Sequence, residues 1–454
     1  MSRSGKDRRA EKTAADAETK RNSEMETTRF HSVRLEKEKC RACTNCLKRC
    51  PTEAIRVRGG SAHIIGEKCI DCGECIRVCG YHAKVAVTDP LSDIRNFRYK
   101  IALPAPSLYG QFKNLSHISQ LLSALKELGF DDVFEVARGA DVVSRAIRER
   151  LKNPDLPRPV ISSACPAIVR LIQVRFPDLI DHIVDVRQPM EVAAEIARRE
   201  FARKHQVPES EIGCFFLTPC PAKVTAIHNP IGHEKSAVNG AISVMEIYGP
   251  LSAKIRGAKV DEGLKESSDF GVGWARSGGE CDAVCPEASM AVDGIQNCIR
   301  VLEEIEDNRL NGLEFFEGAA CTGGCVGGPL NFENTYVARN WIRRLVDIRD
   351  AKLNVDAGMM TKYELYDSER ILPNSVMKLD DDLMEAMRKM DRIEEIYKTL
   401  PGYDCGSCGS PTCRTFAEDI VQGDAREMEC IHRMKDQLKI MAQQMVDIAK
   451  TTRE

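Results

Sequence analysis

The sequence lacks the long apolar runs and the charge excess that mark several large classes of protein. No segment approaches the roughly 18 consecutive apolar residues of a membrane-spanning helix, so we expect no transmembrane span. The amino terminus has no apolar stretch of the kind that directs secretion, and we expect a cytoplasmic protein. The formal net charge is only -3, and no basic stripe is concentrated enough to neutralise a phosphate backbone. A nucleic-acid partner is therefore not expected.

Cysteine, in contrast, is abundant, with 20 residues in a chain of 454. The cysteines cluster in short motifs with ligand spacing, inside a long chain without a secretory signal, which indicates metal centres rather than disulfides. Thiolate ligands of iron must stay reduced, which again favours the cytoplasm and indicates an anaerobe. The length and the 43% hydrophobic content are enough for about three domains.

Two near-repeats of cysteine follow a polar leader. Residues 1–34 are rich in charged and hydroxyl side chains, and we predict a disordered charged tail. Within residues 35–90, three cysteines separated by two residues are twice followed by a fourth after three. This is the spacing of two-cluster bacterial ferredoxins, in which the fourth cysteine of each repeat ligates the other cluster. We therefore predict a ferredoxin-like α+β domain with two 4Fe-4S clusters, with structural zinc as the weaker alternative. One cluster is assigned to Cys40, Cys43, Cys46 and Cys79, and the other to Cys50, Cys69, Cys72 and Cys75.

Between residues 95 and 355, short apolar strands alternate with amphipathic helices, which predicts an α/β domain. Predicted strands at 159–161, 213–217 and 313–316 each run directly into a short segment that contains cysteine. Open α/β folds build their sites on loops at the ends of strands, so these cysteines are candidates for a functional site. They are Cys165, Cys220, Cys321 and Cys325.

The three segments read Ser-Ser-Ala-Cys-Pro, Pro-Cys-Pro-Ala-Lys and Glu-Gly-Ala-Ala-Cys-Thr-Gly-Gly-Cys, and together they resemble the active-site signature of the FeFe-hydrogenases. The resemblance implies that the four cysteines hold the 4Fe-4S cubane of an H-cluster. It also implies that Cys325 bridges to a two-iron unit carrying CO, cyanide and a dithiolate. Lys223 and Ser107 match family residues that donate hydrogen bonds to the cyanide ligands. A phosphate-binding loop is the alternative for the glycine pairs here, but no Lys-Ser or Lys-Thr follows them.

The same resemblance implies an activity and a set of partners. Members of the family oxidise H2 reversibly to protons, and their electrons travel through cubanes to a redox partner. Here that partner is expected to be a ferredoxin or a signalling protein. Hydrogenase maturation proteins are implied as further partners.

One departure from the family pattern bears on the rate. Ala164 stands where catalytic members carry a cysteine that relays protons, and the helix after Asp141 lacks the expected acidic pair. Losing a positioned acid/base group typically costs about 10²- to 10⁴-fold in rate. We therefore predict low turnover, which resembles the H2-sensing branch of the family. Two alternatives stay open: a metabolic ferredoxin-linked hydrogenase, and a non-catalytic iron-sulfur carrier or assembly protein without the two-iron unit.

The carboxyl-terminal part has a cysteine motif of its own. We predict a helical linker at 356–395 and a small α-rich domain at 396–454. Its glycine-rich cysteine motif resembles the one-cubane domain of corrinoid iron-sulfur proteins, with a zinc knuckle as the alternative. The predicted ligands of this 4Fe-4S cluster are Cys405, Cys408, Cys413 and Cys430.

The last segment carries apolar residues at alternating gaps of three and four, which is a heptad-like pattern. The favoured interpretation is a terminal helix that docks on its own domain, and a homodimer or partner coiled coil is the alternative. We call these residues the terminal seam: Ile431, Met434, Leu438, Met441, Met445 and Ile448. Four further cysteines are assigned no role, because buried inert thiols are commoner than an additional site: Cys214, Cys281, Cys285 and Cys298.

Overall fold

A computed structural model describes residues 30–113, 115–349, 351–356 and 358–451 of the chain. Most of the tail predicted at 1–34 lies outside these residues. Its last part is not a tail, because Val33 is buried and begins a strand. The side chain of Asp71 fixes this strand by accepting a hydrogen bond from the Val33 amide at 3.0 Å. No helix of the described residues is long and apolar enough to cross a membrane.

The amino-terminal segment confirms a ferredoxin-like arrangement of two antiparallel strand pairs and two short helices. Strand β1 pairs with β4, and β2 pairs with β3. A small core forms between them around Leu47 and Ile55. The loops that carry the cysteines turn through left-handed backbone at Thr44 and Gly73, which lets the chain wrap around a central space. The elements are β1 (Val33–Leu35), α1 (Asn45–Arg49), β2 (Ile55–Arg58), β3 (Ser61–Ile64), α2 (Glu74–Arg77) and β4 (Lys84–Ala86).

Two parallel sheets form the centre of the molecule and confirm the α/β prediction. One has four strands in the order β6-β5-β8-β9, and the other has three in the order β10-β11-β7. The central strand β8 is buried along its whole length, as expected of a parallel strand with both faces covered. The strands are β5 (Tyr99–Pro104), β6 (Asp132–Val133), β7 (Val160–Ile161), β8 (Ile212–Thr218), β9 (Gly240–Ser243), β10 (Ser289–Asp293) and β11 (Phe315–Ala319).

Two of the surrounding helices begin at the candidate ligands. Cys165 and Cys220 are N-cap residues, and a proline follows each of them in the first helical turn. Proline suits that position because its ring presets a helical φ and its missing N–H would be unpaired there. The helices are α3 (Ile118–Lys126), α4 (Val136–Arg150), α5 (Pro166–Arg175), α6 (Pro189–His205), α7 (Pro221–His228), α8 (Val244–Ile255), α9 (Asp269–Gly273), α10 (Gly279–Val284), α11 (Ile295–Glu306) and α12 (Thr335–Leu345).

The chain then returns along the α/β domain to the ferredoxin-like segment. The linker predicted at 356–395 is helical only in part, because its middle bonds to the α/β domain and to the ferredoxin-like segment instead of to itself. Arg187 N donates to Leu365 O at 2.9 Å, and the Asn374 side chain donates to Glu67 O at 3.0 Å. The remaining helices are α13 (Met359–Lys362), α14 (Leu383–Thr399), α15 (Cys413–Gln422) and α16 (Ile431–Thr451).

Ten short 3-10 turns complete the described backbone. They are Lys37–Lys39, Gly66–Lys68, Leu91–Asn96, Pro106–Gln111, Pro177–His182, Glu209–Glu211, Glu262–Leu264, Cys325–Gly327, Ser375–Met377 and Glu427–Glu429.

The terminal seam is exposed, so the favoured interpretation that it docks on its own domain is wrong for the described residues. Its side chains are between 40% and 68% exposed. The start of α16 contacts the rest of the domain, where His432 meets the ring of Tyr403 and Arg433 pairs with Glu427. The helix therefore leaves its own domain with an apolar face turned to solvent.

Candidate functional site

The structure brings the sixteen predicted ligand cysteines together in four separate groups of four. Three groups line small cavities of similar size, about 340, 350 and 310 Å³. The fourth lines a much larger cavity of about 880 Å³ inside the α/β domain. Four soft thiols around one space form the donor set that iron-sulfur cubanes use.

The two ferredoxin-like groups combine cysteines from both repeats. The outer cavity contains Cys40, Cys43, Cys46 and Cys79, and the inner cavity contains Cys50, Cys69, Cys72 and Cys75. Two main-chain amides are arranged symmetrically, because Ala54 N and Ala83 N each donate to the fourth cysteine of their repeat at 3.2 Å. The inner group lies against the α/β domain, where a Cβ on Gly73 would approach Pro329 to 2.5 Å and Pro221 to 3.0 Å.

The carboxyl-terminal group packs against the outer ferredoxin-like group. Its cavity contains Cys405, Cys408, Cys413 and Cys430. Val57, which lines the outer cavity, donates its N–H to Gly409 O at 2.9 Å, and a Cβ on Gly409 would lie 1.9 Å from Val57 O. A buried ion pair holds this contact, since Arg56 donates to both carboxylate oxygens of Asp419 at 2.7 and 2.8 Å. Arg58 adds a third bond to Asp419 at 2.7 Å.

The large cavity draws its cysteines from both parallel sheets. Cys165 follows β7 and Cys321 follows β11 in one sheet, whereas Cys220 follows β8 in the other. Cys325 completes the group from the glycine-rich turn after Cys321. Burial raises the pKa of the Cys165 thiol to about 11, and it also raises the pKa of Cys220 and Cys325. These three thiols are thus disfavoured as anions, and a bound cation would be needed to keep them as thiolates.

Lys223 and Ser107 both line this cavity. Lys223 lies in the first turn of α7, and its Nζ stands 5.8 Å from the ring centroid of Phe216. Burial disfavours the charge of Lys223, but the facing thiolates, that of Cys325 foremost, outweigh burial and raise its pKa. Ser107 is fully buried, and its Oγ has no hydrogen-bond partner among the described residues. An orphaned buried hydroxyl in a cavity is ready to bind a polar group that enters it.

Ala164 lines the cavity beside Cys165, where its methyl group offers neither a donor nor an acceptor. The helix expected to supply acidic residues, α4, supplies none to the cavity. Asp141 is buried against Ser268, which donates its main-chain N–H to the carboxylate at 2.7 Å. Glu149 lies on the surface between Arg145 and Lys152. The acid pair is therefore missing from the structure as well as from the sequence of this helix.

Two carboxyl groups that the sequence analysis missed do line the cavity, Glu280 on α10 and Glu317 on β11. Both are buried, and Ser162 donates its hydroxyl to the Glu280 carboxylate at 2.7 and 2.8 Å. Burial and the neighbouring Glu317 raise the pKa of Glu280 to about 8. Burial likewise raises the pKa of Glu317, against two main-chain N–H donors. Glu317 is a charged residue in an otherwise apolar strand just before Cys321. That position in the sequence was the signal that could have identified it as a site residue.

The four remaining cysteines do not join any of these groups in the described structure. Burial raises the pKa of Cys214 to about 11, and burial also raises the pKa of Cys281 and Cys298. Cys285 is exposed and has left-handed backbone.

Three family models match the chain. The model described as "Iron only hydrogenase large subunit, C-terminal domain" matches residues 98–289 and 287–329, slightly more than half of the chain. A "4Fe-4S dicluster domain" matches residues 32–80, and an iron-sulfur cluster family matches residues 400–432.

Individual proteins match at low identity. The periplasmic [Fe] hydrogenase large subunit of Nitratidesulfovibrio vulgaris is 26% identical over 368 residues, which cover 66% of this chain and 86% of that one. Iron hydrogenase 1 of Clostridium pasteurianum is 22% identical over 235 residues, 48% of this chain and 40% of that one. Among solved structures, a variant of [FeFe]-hydrogenase HydA1 from Chlamydomonas reinhardtii covers 56% of this chain and 86% of its own, at 15% identity and a TM-score of 0.43.

The family match spans β5 to the turn after Cys325, and so includes every strand that leads into the large cavity. The chain belongs to the iron-only hydrogenase large-subunit family.

Proposed function

We propose that the protein is a slow FeFe-hydrogenase that responds to H2, and that it interconverts H2 with protons and electrons. The observation that carries this proposal is the large cavity with four cysteines, a buried lysine and an orphaned serine hydroxyl. Its volume of about 880 Å³ exceeds that of each cubane-sized cavity, which leaves room for a second metal unit beside the cubane.

The residues in the cavity fit an H-cluster. Cys165, Cys220, Cys321 and Cys325 would hold its cubane, and Cys325 would also hold the two-iron unit. The N-termini of α5 and α7 point positive dipole ends toward this anionic group. When bound, the group supplies heterolytic cleavage of H2, which is chemistry that no protein side chain offers.

Lys223 and Ser107 would orient the cofactor. A buried ammonium is costly without a counter-charge, and anionic ligands in the cavity would supply one. The Lys223 hydrogen bond would be charge-assisted and therefore the stronger of the two. The Ser107 hydroxyl, free of protein partners among the described residues, is available as a neutral donor.

The protein differs from hydrogenases of high turnover in the residues available for proton transfer. Ala164 holds no proton, so we assign the acid/base role to Glu280. Its carboxyl group is protonated at neutral pH because its pKa is raised to about 8, and its contact with Ser162 fixes its orientation. A single carboxyl group in place of a thiol relay supports slow turnover, and slow equilibration suits sensing better than metabolism. A metabolic, ferredoxin-linked role is the alternative.

The order of the four cysteine groups supports a route for electrons. Gly73, next to Cys72, packs against Pro221, next to Cys220, so the inner ferredoxin-like group adjoins the large cavity. The outer group follows, and Gly409, next to Cys408, packs against its wall at Val57. We propose that electrons pass along this row of cubanes to the carboxyl-terminal one. There Cys405 is exposed, which suits exchange with a redox partner protein.

Two kinds of protein partner belong to the same proposal. The exposed terminal seam would pair α16 with a second copy of the chain or with a signalling protein. Maturation proteins would deliver the two-iron unit. We retain the cytoplasm as the proposed compartment, because thiols stay reduced there before the clusters are assembled.

The test is infrared spectroscopy on protein whose cubanes are reconstituted anaerobically and which then receives a synthetic two-iron precursor. We expect CO and cyanide bands that shift reversibly between argon and H2. In Lys223→Met, the cyanide bands should shift or broaden, while Lys235→Met on the exposed surface should leave them unchanged. If cubanes are fully present and no bands form, although a known hydrogenase takes up the precursor, the protein is a cubane-only electron carrier or assembly factor.

A further inference from the structure

A lysine is buried between the two ferredoxin-like cysteine groups. Lys84 is only 2% exposed, and its Nζ has no hydrogen-bond partner among the described residues. No carboxylate of the described chain lies within ion-pair distance of it. An ammonium removed from water without a partner is expensive, so buried lysines are rare unless something compensates their charge.

The internal repeat shows that this position does not require a lysine. Lys84 is the fifth residue after Cys79, and its counterpart, Ile55, is the fifth after Cys50. Both residues begin a strand, and the residue before each donates its N–H to the cysteine at 3.2 Å. Ile55 is 2% exposed, like Lys84. An apolar side chain therefore fills the same place in the first repeat, and packing alone does not explain the charge in the second.

The surroundings of Lys84 contain thiols from both groups. It lines the outer cavity together with Cys46. Burial raises the pKa of Cys46 and raises that of Cys75, from the inner group, to about 12, and the charge of Lys84 opposes the rise in both cases. Strand β4, which begins at Lys84, also packs against α2, the helix that carries Cys75, so the ammonium lies near one cysteine of each group. Thiolate-bound cubanes would supply the missing negative charge on both sides.

We propose that Lys84 is a positioning residue for electron transfer: one buried cation shared by the two ferredoxin-type cubanes, which favours the reduced state of both. Adding an electron makes a cubane more negative, so a fixed cation in a low-dielectric interior stabilises that state. A single lysine would raise both potentials together and keep the two cubanes able to exchange electrons. The proposal rests on the cubane assignment made above, but not on the two-iron unit.

The test is a redox titration followed by EPR on the full chain, with all cubanes reconstituted and no two-iron unit added. Signals of the two cubanes are assigned with Cys43→Ser and Cys72→Ser. In Lys84→Met we expect the equilibrium constant for reduction of each cubane to fall about tenfold, which lowers each one-electron potential by about 59 mV. Lys84→Arg should restore most of the loss. The matched control is Lys39→Met, because Lys39 adjoins Cys40 in sequence but is exposed to solvent.

Potentials in Lys84→Met equal to those of the native protein would overturn the proposal. If that variant fails to assemble, native protein labelled with ¹⁵N-lysine gives a second measurement. Pulsed EPR should detect ¹⁵N coupling to the reduced ferredoxin-type cubanes, and Lys84→Arg should abolish it; absence of the coupling in native protein would also overturn the proposal. Native protein without iron at these cysteines would refute the cubane assignment instead, which iron analysis reveals before any titration.

Discussion

Arg56 and Asp419 form a bidentate ion pair between the ferredoxin-like segment and the carboxyl-terminal domain, with both side chains less than 10% exposed. They are 363 residues apart in sequence. Arg58 and Ser410 also donate to the same carboxylate, at 2.7 and 2.5 Å. Asp419 therefore holds the carboxyl-terminal cysteine group against the outer ferredoxin-like group.

Asp419→Asn should loosen that contact. Removing one partner of a buried ion pair typically costs about 3–5 kcal/mol, because the remaining charge is left uncompensated. We expect earlier thermal unfolding of the carboxyl-terminal domain, faster proteolysis between 400 and 430, and weaker EPR spin coupling between its cubane and the outer ferredoxin-type cubane. Asp436→Asn, on the exposed face of α16, is the control. Unchanged coupling in Asp419→Asn would contradict the role of this pair.

Glu280→Gln should slow H2 production about 10²-fold or more, because the amide cannot give up a proton. The native rate should fall as pH rises through about 8, where the Glu280 carboxyl group loses its proton. The variant should lose this pH dependence. Glu149→Gln changes a carboxylate on the protein surface and should match the native enzyme. A native pH profile in Glu280→Gln would transfer the role to another group, and Glu317→Gln is the next variant to measure.

Ala164→Cys should raise the turnover less than about tenfold, although a complete acid/base group is typically worth about 10²- to 10⁴-fold. The introduced thiol would enter the cavity, but α4 offers no carboxyl group to take its proton onward. Steady-state H2 oxidation with a dye acceptor measures the effect, with Ala164→Ser as the control. A gain of 10²-fold or more would mean that Glu280 or Glu317 already completes a thiol relay.

His233 should make the folded state lose stability above neutral pH. Burial lowers the pKa of His233, but the carboxylates of Asp367 at 3.4 Å and Glu191 at 3.9 Å favour the charged ring, outweigh burial and raise the pKa to about 9. The charged histidine therefore stabilises the fold fully below about pH 6.5, and this contribution is lost as pH rises from there through about 9. Urea unfolding between pH 6 and 10 should show a shallower pH dependence for His233→Asn than for the native protein. The exposed His63→Asn should keep the native slope.

Leu438→Lys should disrupt self-association through α16, because a charge would enter the centre of the terminal seam. Its side chain is 56% exposed, so the substitution leaves the packing of the domain intact. Sedimentation velocity should show a dimer for the native chain and a monomer for the variant. Lys439→Glu, one residue away and off the seam, should remain dimeric. A monomeric native protein would leave the seam to a different partner.

The fold class and most of the ligand set could be predicted because their signals are local. Short stretches of sequence are enough to recognise the tandem cysteine spacing and the strands that run into Cys165, Cys220 and Cys321. The interpretation that the terminal helix docks on its own domain is wrong, since an apolar pattern specifies which face of a helix is hydrophobic but not what covers it. Glu280 was missed because nothing in its own segment distinguishes a buried carboxyl group from a surface one.

The sequence by itself determined the closely spaced cysteine motifs and the family resemblance, because the reach of a short loop around a cluster is fixed by the spacing of its ligands. Only the tertiary structure decided what surrounds those groups. It brought cysteines of two sheets to one cavity, turned Glu280 and Glu317 into it, joined Arg56 to Asp419 and buried Lys84. Each of these depends on burial and on partners far apart in the chain, and charge is expensive or useful only once the surrounding water has been removed.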